Sequence, residues 1–224
     1  MISVKLKNRL GKLKMLRAIV FDFDGVLAES VDVKTRAYAL LFENEGEEVV
    51  QKVVDYHIKN GGISRFEKIR FYYSDILYRS LSEERFQELC AQFSHLVVDE
   101  VVTSPWVDGA KEFLIRNKKK YTFIIISGTP EVELKKIVKH REMAHFFNSV
   151  RGSPKDKVTL LSEVMDEYHL TPKEIVFIGD AETDWCAARE AGVNFIFRCS
   201  PGGVSLPGYF GPRLFSLNEL EKNL

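Results

Sequence analysis

Apolar residues recur along the chain in two rhythms. From Leu16 to Phe23 the run "LRAIVFDF" is mostly apolar and β-branched, and Gly25 ends it. A short apolar run closed by a turn residue predicts a strand buried on both faces. From Val31 to about Val101 the spacing turns helical. "VDVKTRAYALLFENEG", "EEVVQKVVDYHIKN", "SRFEKIRFYYSDILYRSL" and "SEERFQELCAQFSHLVVDEVV" each predict a helix. Ser64 with Glu67 three residues on is a capping-box signature, and Ser82 opens the next helix in the same manner. Past Ser104-Pro105 the rhythms alternate. "YTFIIIS", "NSVRG", "EIVFIGD" and "VNFIFRC" predict strands. "VDGAKEFLIRNKKK", "TPEVELKKIVKH", "SPKDKVTLLSEVMDEYHL", "AETDWCAAREAG" and "SLNELEKNL" predict helices, with "GGVSLPGYFG" a loop.

Strands alternating with helices predict an α/β fold: a Rossmann-like parallel sheet core, with an all-helical cap domain inserted after the first strand. The expected boundaries are 15–31 and 102–224 for the core, 32–101 for the cap and 1–14 for a basic tail. In such sheets ligands gather at the carboxyl ends of the strands. The polar residues at those ends are Asp22, Asp24, Ser127, and Asp180 with Asp184. A helical unit inserted just after the first strand is placed to cover them.

Composition narrows the function. The chain has 224 residues, 45% of them hydrophobic, enough for a full core. Lys+Arg and Asp+Glu both total 32, a balance that gives no reason to expect nucleic acid as a partner. No apolar run approaches the ~20 residues that cross a bilayer. Cys90, Cys186 and Cys199 have no metal-type spacing, so reduced thiols and a cytoplasmic location are expected. "MISVKLKNRLGKLKMLR" holds six basic residues and no acidic one, without a signal-peptide core or cleavage site; it reads as a solvated tail. His57, His95, His140, His145 and His169 show no ligand spacing and read as structural or surface residues.

The carboxylates point to chemistry. Asp22, Asp24, Asp180 and Asp184 crowded together are costly unless a cation sits among them. Mg²⁺ takes oxygen ligands and keeps several waters, so a few carboxylates plus a phosphate oxygen suffice. A carboxylate with an ordinary pKa of about 3.9 is ionised at neutral pH and needs no base to be a nucleophile. Residues two apart on an extended strand point to one side, so Asp22 attacking and Asp24 serving the leaving oxygen is the expected division.

In these segments the chain resembles the haloacid dehalogenase superfamily, in particular its phosphatases with a helical cap, such as phosphoglycolate phosphatases and β-phosphoglucomutase-like hydrolases. "DFDGVL" resembles the family's first motif, "IIISGT" its second, the lysine within "GSPKDK" its third and "VFIGDAETD" its fourth. The resemblance implies that Asp22 is the nucleophile forming an aspartyl-phosphate. It implies that Asp24 is the acid/base, with its main-chain oxygen on Mg²⁺. Ser127 would bind a phosphoryl oxygen, helped by the Gly128 amide and with Thr129 beside the substrate. Asp180 would ligate the metal and Asp184 would orient its waters. Ala181 stands where many relatives have Ser. The lysine that neutralises phosphoryl charge is Lys157 or Lys155; Lys157 is favoured because it adjoins the apolar run of its helix.

The same resemblance implies a small phosphorylated metabolite as partner, in a monomer or homodimer. Asp24 argues against dehalogenation, because cleaving carbon–halogen bonds needs no proton donor. A β-phosphoglucomutase-type mutase, or a non-catalytic binding protein on the same fold, are the alternatives. The stretch "NGGISRFEKIR" suggests a cap loop at Gly61-Gly62 that reaches the site, with Arg65 and Lys68 contacting substrate. Pairing of Arg65 with a surface acid, with Gly61-Gly62 only a helix stop, is the competing expectation.

Overall fold

The computed structural model describes residues 16–200 and 205–224; the expected basic tail lies outside the described residues. The chain opens with β1 (Ala18–Phe21), then the helical insert α1 (Val31–Leu41), α2 (Glu47–Lys59), α3 (Arg65–Phe71) and α4 (Glu83–Thr103). There follow α5 (Ala110–Asn117), β2 (Thr122–Pro130), α6 (Glu131–His140), β3 (Ser149–Ser153), α7 (Lys157–Glu167) and β4 (Ile175–Gly179). The chain closes with α8 (Glu182–Ala191), β5 (Asn194–Arg198), β6 (Arg213–Leu214) and α9 (Leu220–Asn223). The sheet runs β3-β2-β1-β4-β5-β6 with every described pairing parallel. This is the expected Rossmann-like α/β core. No helix among the described residues is long and apolar enough to cross a membrane.

The period of two along each strand divides the core. Ile19, Phe21, Phe123, Ile125, Val176 and Ile178 face one layer, against Phe113, Leu134 and Ile137 of α5 and α6. Ala18, Val20, Ile124, Ile126, Ile175 and Phe177 face the other, against Leu160, Leu161 and Val164 of α7 and Ala187 and Ala188 of α8. Both faces are covered, so the strands are apolar throughout. The chain steps outward from β1 to β2 and β3 and then returns to β4 on the other side of β1. A crevice at the carboxyl ends therefore opens between β1 and β4, where the winding direction reverses.

Some elements differ from expectation. β1 ends at Phe21 rather than Phe23, because the following loop turns at Gly25 with φ +75°. The helix expected to run to Leu81 leaves α-geometry after Phe71, passes through a π-helical turn at Tyr72–Ile76 and ends before Tyr78, whose φ is 54°. The C-terminal helix is shorter than expected, its first turn being 3₁₀ at Leu217–Glu219. The two-residue β6 carries no strand pattern of its own and is held by pairing to β5. Both serines cap their helices as expected, Ser64 Oγ accepting from the Glu67 amide and Ser82 Oγ from the Arg85 amide. The box at Ser64 is only half formed, since Glu67 Oε1 accepts from the Ser64 hydroxyl, and Arg85 stands where a box at Ser82 needs Glu or Gln.

The insert meets the core through buried charge. The Arg65 guanidinium at the start of α3 forks onto Glu133 of α6, with one N–H bond at 2.9 Å and a shorter second one. Ser94 of α4 donates to Glu133 at 2.6 Å, and the guanidinium lies 4.6 Å from the Phe93 ring centre. Both charged side chains are buried, so removing one partner leaves the other uncompensated. Glu133→Ala should lower stability by about 3–5 kcal/mol in denaturant unfolding. The double variant Arg65→Met/Glu133→Leu should recover most of that loss; if it is no more stable than Glu133→Ala, the pairing does not hold the insert.

Candidate active site

Asp22 is the first residue past β1. It keeps the parity of Ala18 and Val20, so its side chain faces the α7/α8 layer. Its amide still donates to the Ile178 carbonyl of β4 at 2.9 Å, which fixes the backbone beside the crevice. Oδ1 accepts from the Phe23 amide at 2.8 Å. Oδ2 lies 3.2 Å from Lys157 Nζ, and the same ammonium donates to Asp184 Oδ1 at 2.5 Å. Asp184 Oδ2 accepts from the Ala181 amide at 3.1 Å, so both its oxygens are committed. Asp22, Lys157 and Asp184 are all buried.

The N-cap of α7 explains why Lys157 is the lysine in the site. Asp156 accepts from the Thr159 amide at 2.9 Å, which makes Lys157 the first helical residue. Lys155 precedes the cap, is exposed and pairs with Glu163. The alternative at Lys155 is thereby corrected: its side chain is spent on the surface.

Carboxylate oxygens of Asp22, Asp180 and Asp184 lie within 4.8 Å of one another. Burial, together with the Asp184 and Asp24 charges and against Lys157, pushes the Asp22 carboxyl up to about 7. Burial and the neighbouring Asp22 and Asp184 hold Asp180 well above the ordinary carboxylate range. Burial would lower Lys157, but Asp184 and Asp22 outweigh it and hold the ammonium above its ordinary value. A side chain at Gly25 would collide with the Asp180 carboxylate, so the turn is glycine for access as well as for its positive φ. An all-oxygen donor set with excess negative charge fits Mg²⁺.

Asp24 does not share that side. Because β1 ends at Phe21, the two-residue alternation lapses, and Asp24 turns toward α1 and β2. It accepts from Lys34 Nζ in a short contact, from Ser30 Oγ at 2.6 Å and from Thr129 Oγ1 at 3.2 Å. Burial would raise its pKa, but Lys34 and these hydrogen bonds hold it below the ordinary range. Ser127 and Gly128 lie at the end of β2, and Ser127 Oγ accepts from the Thr129 amide at 3.2 Å.

The loop between α2 and α3 closes the site. Thr183 Oγ1, on α8, donates to the Gly61 carbonyl at 2.7 Å. A side chain at Gly128 would collide with the Gly62 carbonyl, so the two backbones touch. Beneath lies a cavity of about 690 Å³ bordered by Asp22, Asp24, Ser127, Gly128, Thr129 and Asp180 from the core. Its other wall includes Lys34, Tyr38, His57, Arg65, Lys68 and Phe93 from the insert. Lys68 faces this cavity as expected. Arg65 borders it with its guanidinium already bound to Glu133, so the expectation of a free substrate-binding arginine is corrected; the pairing alternative holds only in part, because the acid is buried rather than on the surface and the Gly61-Gly62 loop touches the core. Lys34 and His57 were missed. Lys34 had a usable signal, since the first turn of the helix after the Asp-x-Asp-Gly loop must face that loop. His57 had none; it meets Lys68 only through the packing of α2 on α3.

A family model for haloacid dehalogenase-like hydrolases matches residues 19–197. The chain belongs to that family. A phosphoglycolate phosphatase of Aliivibrio fischeri is 25% identical over 196 residues, covering 80% of this chain and 82% of that protein. A phosphorylated carbohydrates phosphatase of Thermotoga maritima is 23% identical over 190 residues, covering 81% of this chain and 84% of that protein. A β-phosphoglucomutase structure from Clostridium difficile superposes with a TM-score of 0.75 at 18% identity, covering 92% of this chain and 93% of that one. At that identity the likeness speaks for the fold. This haloacid dehalogenase-like chain is an enzyme of the phosphatase class.

The raised Asp22 carboxyl has a stability consequence. Its value in the folded protein, about 7, lies above the ordinary 3.8, so the folded state holds the proton more tightly than the unfolded chain. That contribution is fully present below about pH 4 and is lost as pH rises through about 7. With chelator present, the melting temperature of the parent minus that of Asp22→Asn, taken with its sign, should fall as pH is raised from about 4 to 8. A difference that stays flat or grows across that range contradicts the assignment.

Proposed function

We propose that this family member is a Mg²⁺-dependent phosphatase that hydrolyses a small phosphomonoester through an aspartyl-phosphate on Asp22, in the manner of a phosphoglycolate phosphatase. The observation that carries this reading is Asp22 just past β1, with Oδ2 beside Lys157 and Oδ1 on the Phe23 amide, bordering the cavity it shares with Ser127. The three free cysteines agree with a cytoplasmic enzyme.

Asp22, Asp180 and the main-chain oxygen of Asp24 would hold the metal, with Asp184 behind them. When bound, Mg²⁺ would offset the repulsion between these carboxylates and a phosphoryl dianion. Asp22 attacks phosphorus, forming the acyl-phosphate bond as the ester P–O bond breaks. Lys157 and Ser127, with the Gly128 amide, stabilise the phosphoryl oxygens. The leaving oxygen takes a proton from Asp24, which must first part from Lys34 and take up that proton, the one that the water of the second half returns to it. In the second half Asp24, now a carboxylate, takes a proton from water. That water attacks phosphorus, and the Asp22–phosphorus bond breaks to restore the nucleophile. The pairing of Asp24 with Lys34 is the carboxylate state that this second half needs. The helical insert, about 32–101, acts as the cap that excludes bulk water. Its Gly61-Gly62 backbone supports this role, since it rests on the phosphoryl-binding loop.

Asp22→Asn should fold as the parent does and lower the release of inorganic phosphate from a panel of small phosphate esters by more than about 1000-fold. Chelator should abolish release by the parent, and added Mg²⁺ should restore it. Phosphate release by Asp22→Asn at the parent's rate, once reversion of the amide is excluded by mass, removes the covalent mechanism. Transfer of the phosphoryl group back to a sugar without release would favour the mutase alternative.

A further inference from the structure

We infer that Arg198, at the end of β5, is a positioning residue for the metal site: by holding the Gly25 carbonyl it fixes the turn from which the main-chain oxygen of Asp24 is offered to Mg²⁺. The inference rests on the Mg²⁺-dependent reading and adds to it a side chain outside the set of oxygen donors.

The loop after β1 has to present two groups at once, the Asp22 carboxylate and the Asp24 carbonyl. Asp22 is fixed by its own amide on β4. The Asp24 carbonyl belongs to the peptide it shares with the Gly25 amide, and in a trans peptide the two point in opposite directions. That amide donates to the Ala28 carbonyl at 2.8 Å. The next peptide joins Gly25 to Val26. Its amide reaches the Phe23 carbonyl only at 3.4 Å, whereas its carbonyl accepts from Arg198 Nη1 at 3.0 Å. Gly25 links the two peptides at φ +75° and has no side chain to restrain it, so these bonds hold the planes on either side. The turn has little tolerance. An ideal Cβ on Gly25 would lie 2.0 Å from Asp180 Oδ2, which belongs to the other proposed oxygen donor. A rotation at Gly25 therefore shifts the Asp24 oxygen relative to Asp180.

Arg198 has no other evident reason to stand where it does. It is 2% exposed, the end of an otherwise apolar strand whose preceding residues are Ile196 and Phe197. Its guanidinium forks onto Glu29, at 3.3 Å from Nη1 and 2.5 Å from Nη2, while Nε is buried without a hydrogen-bond partner. Glu29 is 38% exposed, so water already serves that carboxylate. An ion pair of this kind adds little to stability over apolar side chains filling the same space. What an apolar residue cannot supply is a donor for the Gly25 carbonyl, and a charged donor makes a stronger bond than a neutral one. Glu29 in turn sets the plane of the guanidinium, since the fork leaves it one orientation. Groups that orient a metal's ligands from outside are worth about 10- to 100-fold in metal affinity.

The test is Mg²⁺ binding by calorimetry, which needs no turnover. Arg198→Met keeps an apolar stem in the core and removes the donor. Its Kd for Mg²⁺ should rise by about 10-fold or more over the parent, and the Mg²⁺ concentration for half-maximal phosphate release should rise with it. A merely structural role would lower the melting temperature in chelator and leave the Kd within about 2-fold of the parent, and that result overturns the inference. Glu29→Gln loosens the fork but leaves the donor, so it should weaken Mg²⁺ binding less than Arg198→Met does. A larger loss in Glu29→Gln makes Glu29 the positioning group and overturns the assignment to Arg198. If Arg198→Met does not fold, Arg198→Lys, which keeps the charge and loses the fork, takes its place, with a rise of about 3-fold or more in Kd expected and an unchanged Kd overturning the inference. Asp180→Ala separates the two readings. Absence of Mg²⁺ binding by the parent, or undiminished binding by Asp180→Ala, overturns the Mg²⁺ site and this inference with it. Binding that Asp180→Ala abolishes and Arg198→Met leaves intact rejects the role of Arg198 alone.

Discussion

One buried ammonium decides the shape of the site. Asp22 and Asp184 are both buried and close together, and without a cation between them their carboxylates would repel. Lys157 sits between them, 3.2 Å from one and 2.5 Å from the other. Three segments distant in sequence are locked by this contact: the end of β1, the start of α7 and the first turn of α8. Its geometry follows from a local device, the Asp156 cap that fixes where α7 begins. Yet one lysine cannot neutralise the whole cluster. Asp180 adds further negative charge, and the raised Asp22 and Asp180 carboxyls record the deficit. A bound divalent cation would relieve what the protein leaves uncompensated.

The two aspartates of the first loop divide their surroundings accordingly. Asp22 faces the layer of α7 and α8 and stays charged only at a cost. Asp24 faces α1 and β2 and is held charged by Lys34, Ser30 and Thr129. Two carboxyls two residues apart thus have opposite pKa shifts, an arrangement typical of groups with different duties in one reaction. The separation depends on where β1 stops. Had the strand continued to Phe23, both side chains would share one face and compete for the same cations.

Much of this was legible in the sequence because it is local. An apolar run buried on both faces, a glycine turn and a Ser-x-x-Glu cap each carry their cause within a few residues. The order of elements then forces the strand ends together, so Asp22, Ser127, Asp180 and Asp184 could be grouped without coordinates. What was not legible depends on partners far apart in sequence. Glu133 lies 68 residues from Arg65, and only packing of α3 and α4 on α6 brings them together. His57 meets Lys68 across two insert helices whose crossing no periodicity specifies. The end of β1 was misplaced by two residues because Phe23 is apolar and buried although it belongs to the turn. Burial and strand geometry part company there, and an apolar pattern reports only burial.

That division has a consequence for how chemistry and specificity are encoded. The core presents its groups from backbone ends whose positions are set by sheet pairing, with little freedom to drift. The insert presents side chains from helices held to the core at polar points that include the Arg65–Glu133 pair, Lys34 with Asp24 and Thr129, the Thr183–Gly61 bond and the backbone contact of Gly62 with Gly128. The last contact has no room for a side chain on Gly128, so the loop meets the end of β2 by backbone alone. Side chains of α1, α2 and α3 are thereby left to line the opposite end. The contacts that place Asp22, by contrast, all come from the core, so a change in the insert helices leaves them in place.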